Sequence, residues 1–301
     1  MSSEFNYRAF SVTSVGFIAS IFIVVLNIRL LWKFQNSLMK NKPEYHLFKI
    51  RFIVDICYSL TVSIYYFSLI VSYISPFILF QYKSLFIATL LSSNVVSTRF
   101  FLGALISIER LIAVFLPVKF HNNRQKISIF TFFIMLVLWG MLEDVMYFWV
   151  CNISPFEKTC SILGCTWNDC FLQYWTGNKL IIGLFTCMSS LILFVKLLSL
   201  KKAMNLNNDL SKTNYLCIGD ACLTLIFDFS PFLVTLIFKT QLLSADIYGP
   251  YNATAKSLAC FIDAVIAAIV LKIPSKINSI KSVNPRSGIT SDRHGSSRTQ
   301  F

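Results

Sequence analysis

A chain of 301 residues with 55% hydrophobic, 15% aromatic and only 14% charged residues is too apolar for one or two soluble domains, and points to lipid as its solvent. A net charge of +13 would suit a nucleic-acid partner if it formed a patch, so the placement of the basic residues decides its meaning.

Seven apolar stretches run roughly over 10–32, 47–72, 84–114, 128–150, 178–199, 214–238 and 254–273. Each approaches or exceeds the length of about 20 residues that an α-helix needs to cross a hydrocarbon core. Isolated strands leave backbone groups unsatisfied in lipid, and the alternation of a barrel is absent. The expectation is an all-α membrane protein, a seven-transmembrane helix bundle.

The first stretch continues past Asn27 and Arg29 to Trp32, longer than the apolar part of a typical signal peptide, and reads as a retained span. The second carries Asp55, and the third carries Arg99 and closes on "SIERLIAVFLPVKFHNNR", with Glu109 and Arg110 ahead of Pro117. On a helix Arg99 lies 11 residues, about 16 Å, from Arg110, near mid-membrane. Glu143 and Asp144, towards the outer third of the fourth stretch, are placed to reach water and need carry no function.

Between the fourth and fifth stretches lie Cys151, Cys160, Cys165 and Cys170 and the sequon Asn152-Ile153-Ser154. Disulfides among the four allow three pairings, and a zinc site is the rival, although zinc cysteines usually come in C-x-x-C pairs. The sixth stretch contains Asp228, Phe229 and Pro231, a second sequon starts at Asn252, and the seventh stretch contains Asp263. Beyond it, Ile273, Ile277, Ile280 and Val283 recur at helical spacing beside Lys272, Lys276 and Lys281. An amphipathic helix over 274–283 lying on the membrane surface is expected, with disorder over the Ser-, Arg- and Gly-rich 284–301.

Of the 27 Lys and Arg residues, Arg99 is inside a span, and Arg8, Lys83, Lys158, Lys179, Lys239 and Lys256 fall on one face. The other twenty, Arg51 and Arg124 among them, fall on the opposite face. The positive-inside rule makes the richer face cytosolic, with the N-terminus outside and the C-terminus in the cytosol. The charge is then an orientation signal, and no nucleic-acid partner is expected. Asn152 and Asn252 both fall outside, where glycosylation is possible.

A catalytic reading finds no support. His46, His121 and His294 all fall on the cytosolic side, and H-E-x-x-H, G-x-S-x-G and Walker A strings are absent, so neither catalysis, metal nor cofactor is expected. A multi-span transporter is the alternative function; its usual internal repeats or paired Gly and Pro breaks are not evident.

Glu109-Arg110, Ala113-Val114, Pro117 and Phe120 resemble the [DE]-R-Y-x-A-[VI]-x-x-P-[LV]-x-[YF] signature closing the third helix of rhodopsin-like G-protein-coupled receptors, with Leu111 in place of Tyr. Asn27 and Asp55 have close to the separation of that family's buried Asn and Asp. Pro231 matches the sixth-helix proline, with Phe229 in place of Trp, and Asp263 resembles the first residue of N/D-P-x-x-Y, without its Pro and Tyr. With the self-contained cysteine cluster and the absence of cysteine over 81–90, the whole chain is most similar to nematode serpentine chemoreceptors of class BC.

The resemblance implies a small-molecule ligand of environmental or pheromone-like origin, a heterotrimeric G protein as partner, and residence in the plasma membrane, on the cilia of chemosensory neurons. It makes Glu109, Arg110 and Pro117 a G-protein switch and Asn27, Asp55, Arg99 and Asp263 a buried polar network. Arg99, held by Asp55 and Asp263, would stand in for the sodium ion that related receptors bind there; a static ion pair fixing helix register is the other reading. Asp228, Phe229 and Pro231 would line a ligand cavity and form a hinge, although Asp228 can equally hydrogen-bond between helices.

Overall fold

The computed structural model describes residues 7–36, 45–74, 82–124, 127–154, 167–203, 208–230 and 250–271. Among them are eight α-helices and no β-strand: α1 Tyr7–Gln35, α2 His46–Ile74, α3 Tyr82–Phe115, α4 Pro117–Arg124, α5 Ile129–Val145, α6 Asp169–Ala203, α7 Asn208–Leu223 and α8 Tyr251–Val270. Single π-helical segments extend α5 over Met146–Val150 and α7 over Thr224–Phe229. Cys160, Cys165, Pro231, the expected helix 274–283 and the tail 284–301 lie outside the described residues, as do the side chains of Asp228 and Phe229.

Five of these helices, α1, α2, α5 with its π-helical extension, α6 and α8, are long and apolar enough to cross a membrane. α3 has ample length at 34 residues, but Ser92, Ser93, Asn94, Ser97, Thr98 and Arg99 interrupt its apolar character. The described part of α7 stops at Ser230, within the sixth apolar stretch.

The surface explains what solvent the bundle is built for. Ile18, Phe22, Val25, Phe133, Val137, Met141, Ile181, Leu184, Phe185 and Met188 are exposed, whereas Asn27, Arg51, Asp55, Arg99, Glu109, Arg110, Asp220 and Asp263 are buried. A soluble domain does not expose apolar area on this scale, and an aliphatic coat around a polar interior suits lipid. α5 shows the pattern sharply: its buried positions are Leu136, Gly140 and Glu143, followed by Tyr147 of the π-helical segment, one narrow helical stripe.

Contacts run from α1 to α2, α2 to α3, α3 to α6, α6 to α7, α7 to α8 and back from α8 to α1, closing a ring; α5 packs against α3. Two glycines permit close approach. A Cβ on Gly16 would come within 2.5 Å of the Tyr66 ring and 2.8 Å of the Thr254 hydroxyl, and one on Gly140 within 2.7 Å of the Thr98 hydroxyl. Phe101 of α3 stacks on Trp139 of α5, ring centroids 4.3 Å apart, reinforcing that contact.

α6 begins at Asp169, ahead of the apolar stretch that starts near residue 178. Its first turn is built by Asn168, whose side-chain oxygen accepts from the Phe171 backbone N–H at 2.9 Å and whose amide donates to the Cys151 carbonyl at 2.9 Å. An Asn cap followed by Asp169 is a favourable helix start. Cys170 in that first turn is disulfide-bonded to Cys151 at the end of α5, which selects one partner for each of these cysteines and removes two thiols from any zinc set. Aromatic packing of Phe86, Tyr147 and Phe171 surrounds the bridge. Adjacent Asn152 has φ 48°, a left-handed conformation that asparagine tolerates better than most side chains.

Candidate functional site

Among the described residues, ion pairs gather in two interior constellations. The first gathers Arg51 and Asp55 of α2, Arg99 of α3, Asp220 of α7 and Asp263 of α8. The Arg99 Nε donates to Asp55 Oδ1 at 2.6 Å. Arg51 pairs with Asp220, with Asp263 at 2.9 Å and, one helical turn away, with Asp55 at 3.9 Å. All five are buried. Two guanidiniums and three carboxylates thus connect four helices, α2, α3, α7 and α8.

This corrects the sequence reading at three points. Arg51 is not one of the surface charges at the mouth of the second span: it is 3% exposed and is the hub of the network. Being one turn before Asp55, it reaches the same helix face, and its long side chain spans to two further helices. Asp263 is held by Arg51, not by Arg99. Asn27, although fully buried, donates at 3.1 Å to the Ile23 carbonyl of its own helix, and no hydrogen bond to the network carboxylates occurs among the described residues.

The second constellation closes α3. Glu109 lies 3.3 Å from Arg110 and accepts a hydrogen bond from Arg124 at the end of α4. The Arg110 side chain is fully buried. Arg124, also buried, sits 4.9 Å over the Phe132 ring of α5. The segment after Glu109 and Arg110 is therefore not an open basic loop. Pro117 supplies the pre-set φ of a first helical residue, where its missing N–H costs nothing, and α4 carries Arg124 back to Glu109. Between the two constellations, Ser107 lies 3.4 Å from Ser190 and 3.7 Å from Cys217, bringing polar atoms of α3, α6 and α7 together.

Glu143 and Asp144 do not lie free in water. Glu143 is buried and accepts from Ser93 at 2.7 Å, while Asp144 accepts from Asn94 at 2.8 Å. These bonds join α5 to the polar face of α3. Lys179 and Lys256, counted by the sequence on the outer face, lie within α6 and α8. Asn152 and Asn252 have exposed side chains. Asp228 and Phe229 fall in the π-helical segment of α7, a helix irregularity that often accompanies functional sites.

A helical bundle with an apolar coat, a charged interior and an acid–arginine pair closing its third helix is consistent with an integral membrane protein of the seven-helix receptor class. Residues 5–275 match the family described as serpentine type 7TM GPCR chemoreceptor Srbc, and the chain belongs to that family. No curated protein matches the chain. The family is one of chemoreceptors, not an enzyme class.

Proposed function

We propose that this receptor converts binding of a small environmental or pheromone-like molecule into activation of a heterotrimeric G protein, with its N-terminus outside the cell and its C-terminus in the cytosol. The observation that carries the reading is the sequestration of Arg110, fully buried beside a Glu109 that is itself shared with Arg124. In the resting receptor Glu109 holds Arg110 inward and α4 holds Glu109. Displacement of α7 would open the space beside α3 and release Arg110 towards the G protein. Plasma-membrane residence, on sensory cilia, follows from the same reading.

The five-residue network supports a coupling role. Asp220 rides on α7, so any movement of that helix stretches its pairing with Arg51. A ligand that must drive a population from 1:99 to 99:1 needs about 5.5 kcal/mol of preference for the active form, an amount within reach of a rearranged buried ion-pair network. Arg99 fills the space beside Asp55 with a cation built into the chain, which supports signalling that is indifferent to sodium; Arg99→Ser should introduce a sodium response.

The test is ligand-evoked nucleotide exchange on G protein in cells expressing the receptor, with a chemically broad panel and Arg110→Ala as the control. A response abolished by Arg110→Ala is expected. Flux of a panel compound across the membrane without nucleotide exchange would instead assign the chain to transport.

A further inference from the structure

The exposed face of α1 changes character along its length. Ile18, Phe22, Val25 and Ile28 are exposed and recur every three or four residues, so they form one stripe along the helix. The same stripe continues through Arg29, Trp32 and Lys33, all exposed, Trp32 to 72%. About 15 Å of apolar surface is thus followed, within about 6 Å, by two full positive charges on either side of an indole. Leu30 and Phe34, on the opposite side of the helix, are buried in the core, which fixes the stripe outward.

The two cations have no acid of their own. α1 contains neither Asp nor Glu, and among the described residues no ion pair involves Arg29 or Lys33. Other basic side chains towards this end of the bundle turn onto protein: Arg51, Arg110 and Arg124 are buried, and the Lys196 Nζ lies 5.5 Å from the Phe115 ring centroid. Arg29 and Lys33 are one helical turn apart on the same face, close enough to share one phosphate. An apolar stripe, a tryptophan where it ends and cations beyond it match the chains, the interface and the headgroup of a lipid in that order. A zwitterionic headgroup brings no net charge to this pair, whereas an anionic one offsets it.

We propose that Arg29, Trp32 and Lys33 form a binding site for one anionic phospholipid, with its phosphate between the two cations and its acyl chains along Phe22, Val25 and Ile28. In the orientation proposed above the site lies in the cytosolic leaflet, where anionic lipids concentrate. α1 packs against α2 and α8, the helices that carry Arg51, Asp55 and Asp263, so a lipid held here steadies one wall of the bundle beside the buried network.

The experiment uses the full-length receptor in mixed micelles of a non-ionic detergent, with quenching of tryptophan fluorescence by acyl-brominated phosphatidylserine as the readout and acyl-brominated phosphatidylcholine as the comparison. Half-quenching at a lower mole fraction of the serine lipid is expected. Arg29→Gln and Lys33→Gln should each raise that mole fraction about fivefold, the factor one basic residue contributes near an anionic surface, and leave the choline curve in place. Neither side chain packs inside the bundle, so in phospholipid-free detergent both variants should remain folded with the native thermal midpoint. Trp32→Phe should remove the serine-selective part of the quenching, because the other four tryptophans, Trp139, Trp149, Trp167 and Trp175, lie on or beside α5 and α6. Equal curves for the two lipids, unchanged selectivity in the Arg29→Gln/Lys33→Gln double variant, or selective quenching that persists in Trp32→Phe would overturn the proposal. So would an equal loss in Lys119→Gln, at an exposed basic position of α4, which would reduce the effect to net charge. Potassium phosphate, against potassium chloride at the same ionic strength, should not displace the lipid; displacement by phosphate alone would give the site to the free anion. Micelles have no sidedness, so the result is independent of the proposed orientation and of G-protein activation.

Discussion

Replacing Arg51 with Met separates a surface anchor from a structural hub. At an interface the loss of one Arg among many would be nearly silent, within about 0.5 kcal/mol. Arg51 is instead buried against Asp55, Asp220 and Asp263. Its removal strands three carboxylates with Arg99 as the remaining guanidinium of the network. Removing one partner of a buried ion pair typically costs about 3–5 kcal/mol, because the abandoned charge keeps its desolvation penalty. At about 2–4 °C per kcal/mol for larger chains, the thermal midpoint should fall by roughly 6–20 °C. The assay is the temperature at which detergent-solubilised receptor loses its monodisperse size-exclusion peak, with Arg29→Met, at an exposed position of α1, as the control. Adding Asp220→Asn to Arg51→Met should recover part of the loss, since it discharges one stranded carboxylate. Equal midpoints for Arg51→Met and Arg29→Met would refute the reasoning and return Arg51 to the role of an interfacial anchor.

Arg124→Ala leaves Glu109 with Arg110 as its neighbour and should raise basal nucleotide exchange several-fold, while Arg110→Ala should abolish exchange in the same membranes. Gly140→Leu drives a side chain into the Thr98 hydroxyl and should cost about 1–3 kcal/mol by overpacking, read as a lowered thermal midpoint, with Gly140→Ala milder. Cys170→Ser opens a link across a sequence separation of 19 residues, a loss of about 3 kcal/mol on the loop-entropy scale; maleimide labelling of Cys151 without reductant should appear in the variant and not in the native chain. Asn152→Gln and Asn252→Gln should each remove one glycosidase-sensitive mobility step on gels if both sites face the lumen during synthesis, and glycan at neither site would overturn the proposed orientation.

Much of the architecture was legible because lipid imposes a simple rule. Long apolar stretches can satisfy their backbone only as helices, and the start of α5 at Ile129 lies close to the apolar boundary near 128. α6 starts at Asp169, ahead of the apolar stretch near 178, because Gln173, Thr176, Asn178 and Lys179 are helical but not apolar. Asn168 followed by Asp169 was the available signal. Glu109 and Arg110 stood out from their motif, whereas Arg124 did not: a basic residue 15 positions later returns to Glu109 only because Pro117 starts another helix. Arg51 was hidden by its position near the end of an apolar stretch, where an arginine normally anchors to the interface. The Arg51–Asp55 spacing of one helical turn was the signal that could have singled it out.

By itself the sequence determined the solvent, the helical architecture, the family resemblance and the presence of ionisable residues within apolar stretches. Those properties follow from composition and from periodicity along the chain. Only the tertiary structure decided which charges meet: Arg51 with Asp220 and Asp263, Arg124 with Glu109, and Cys151 with Cys170. The physical reason is that an ion pair depends on separations of a few ångströms between helices distant in sequence, and their packing and rotation about their axes set those separations.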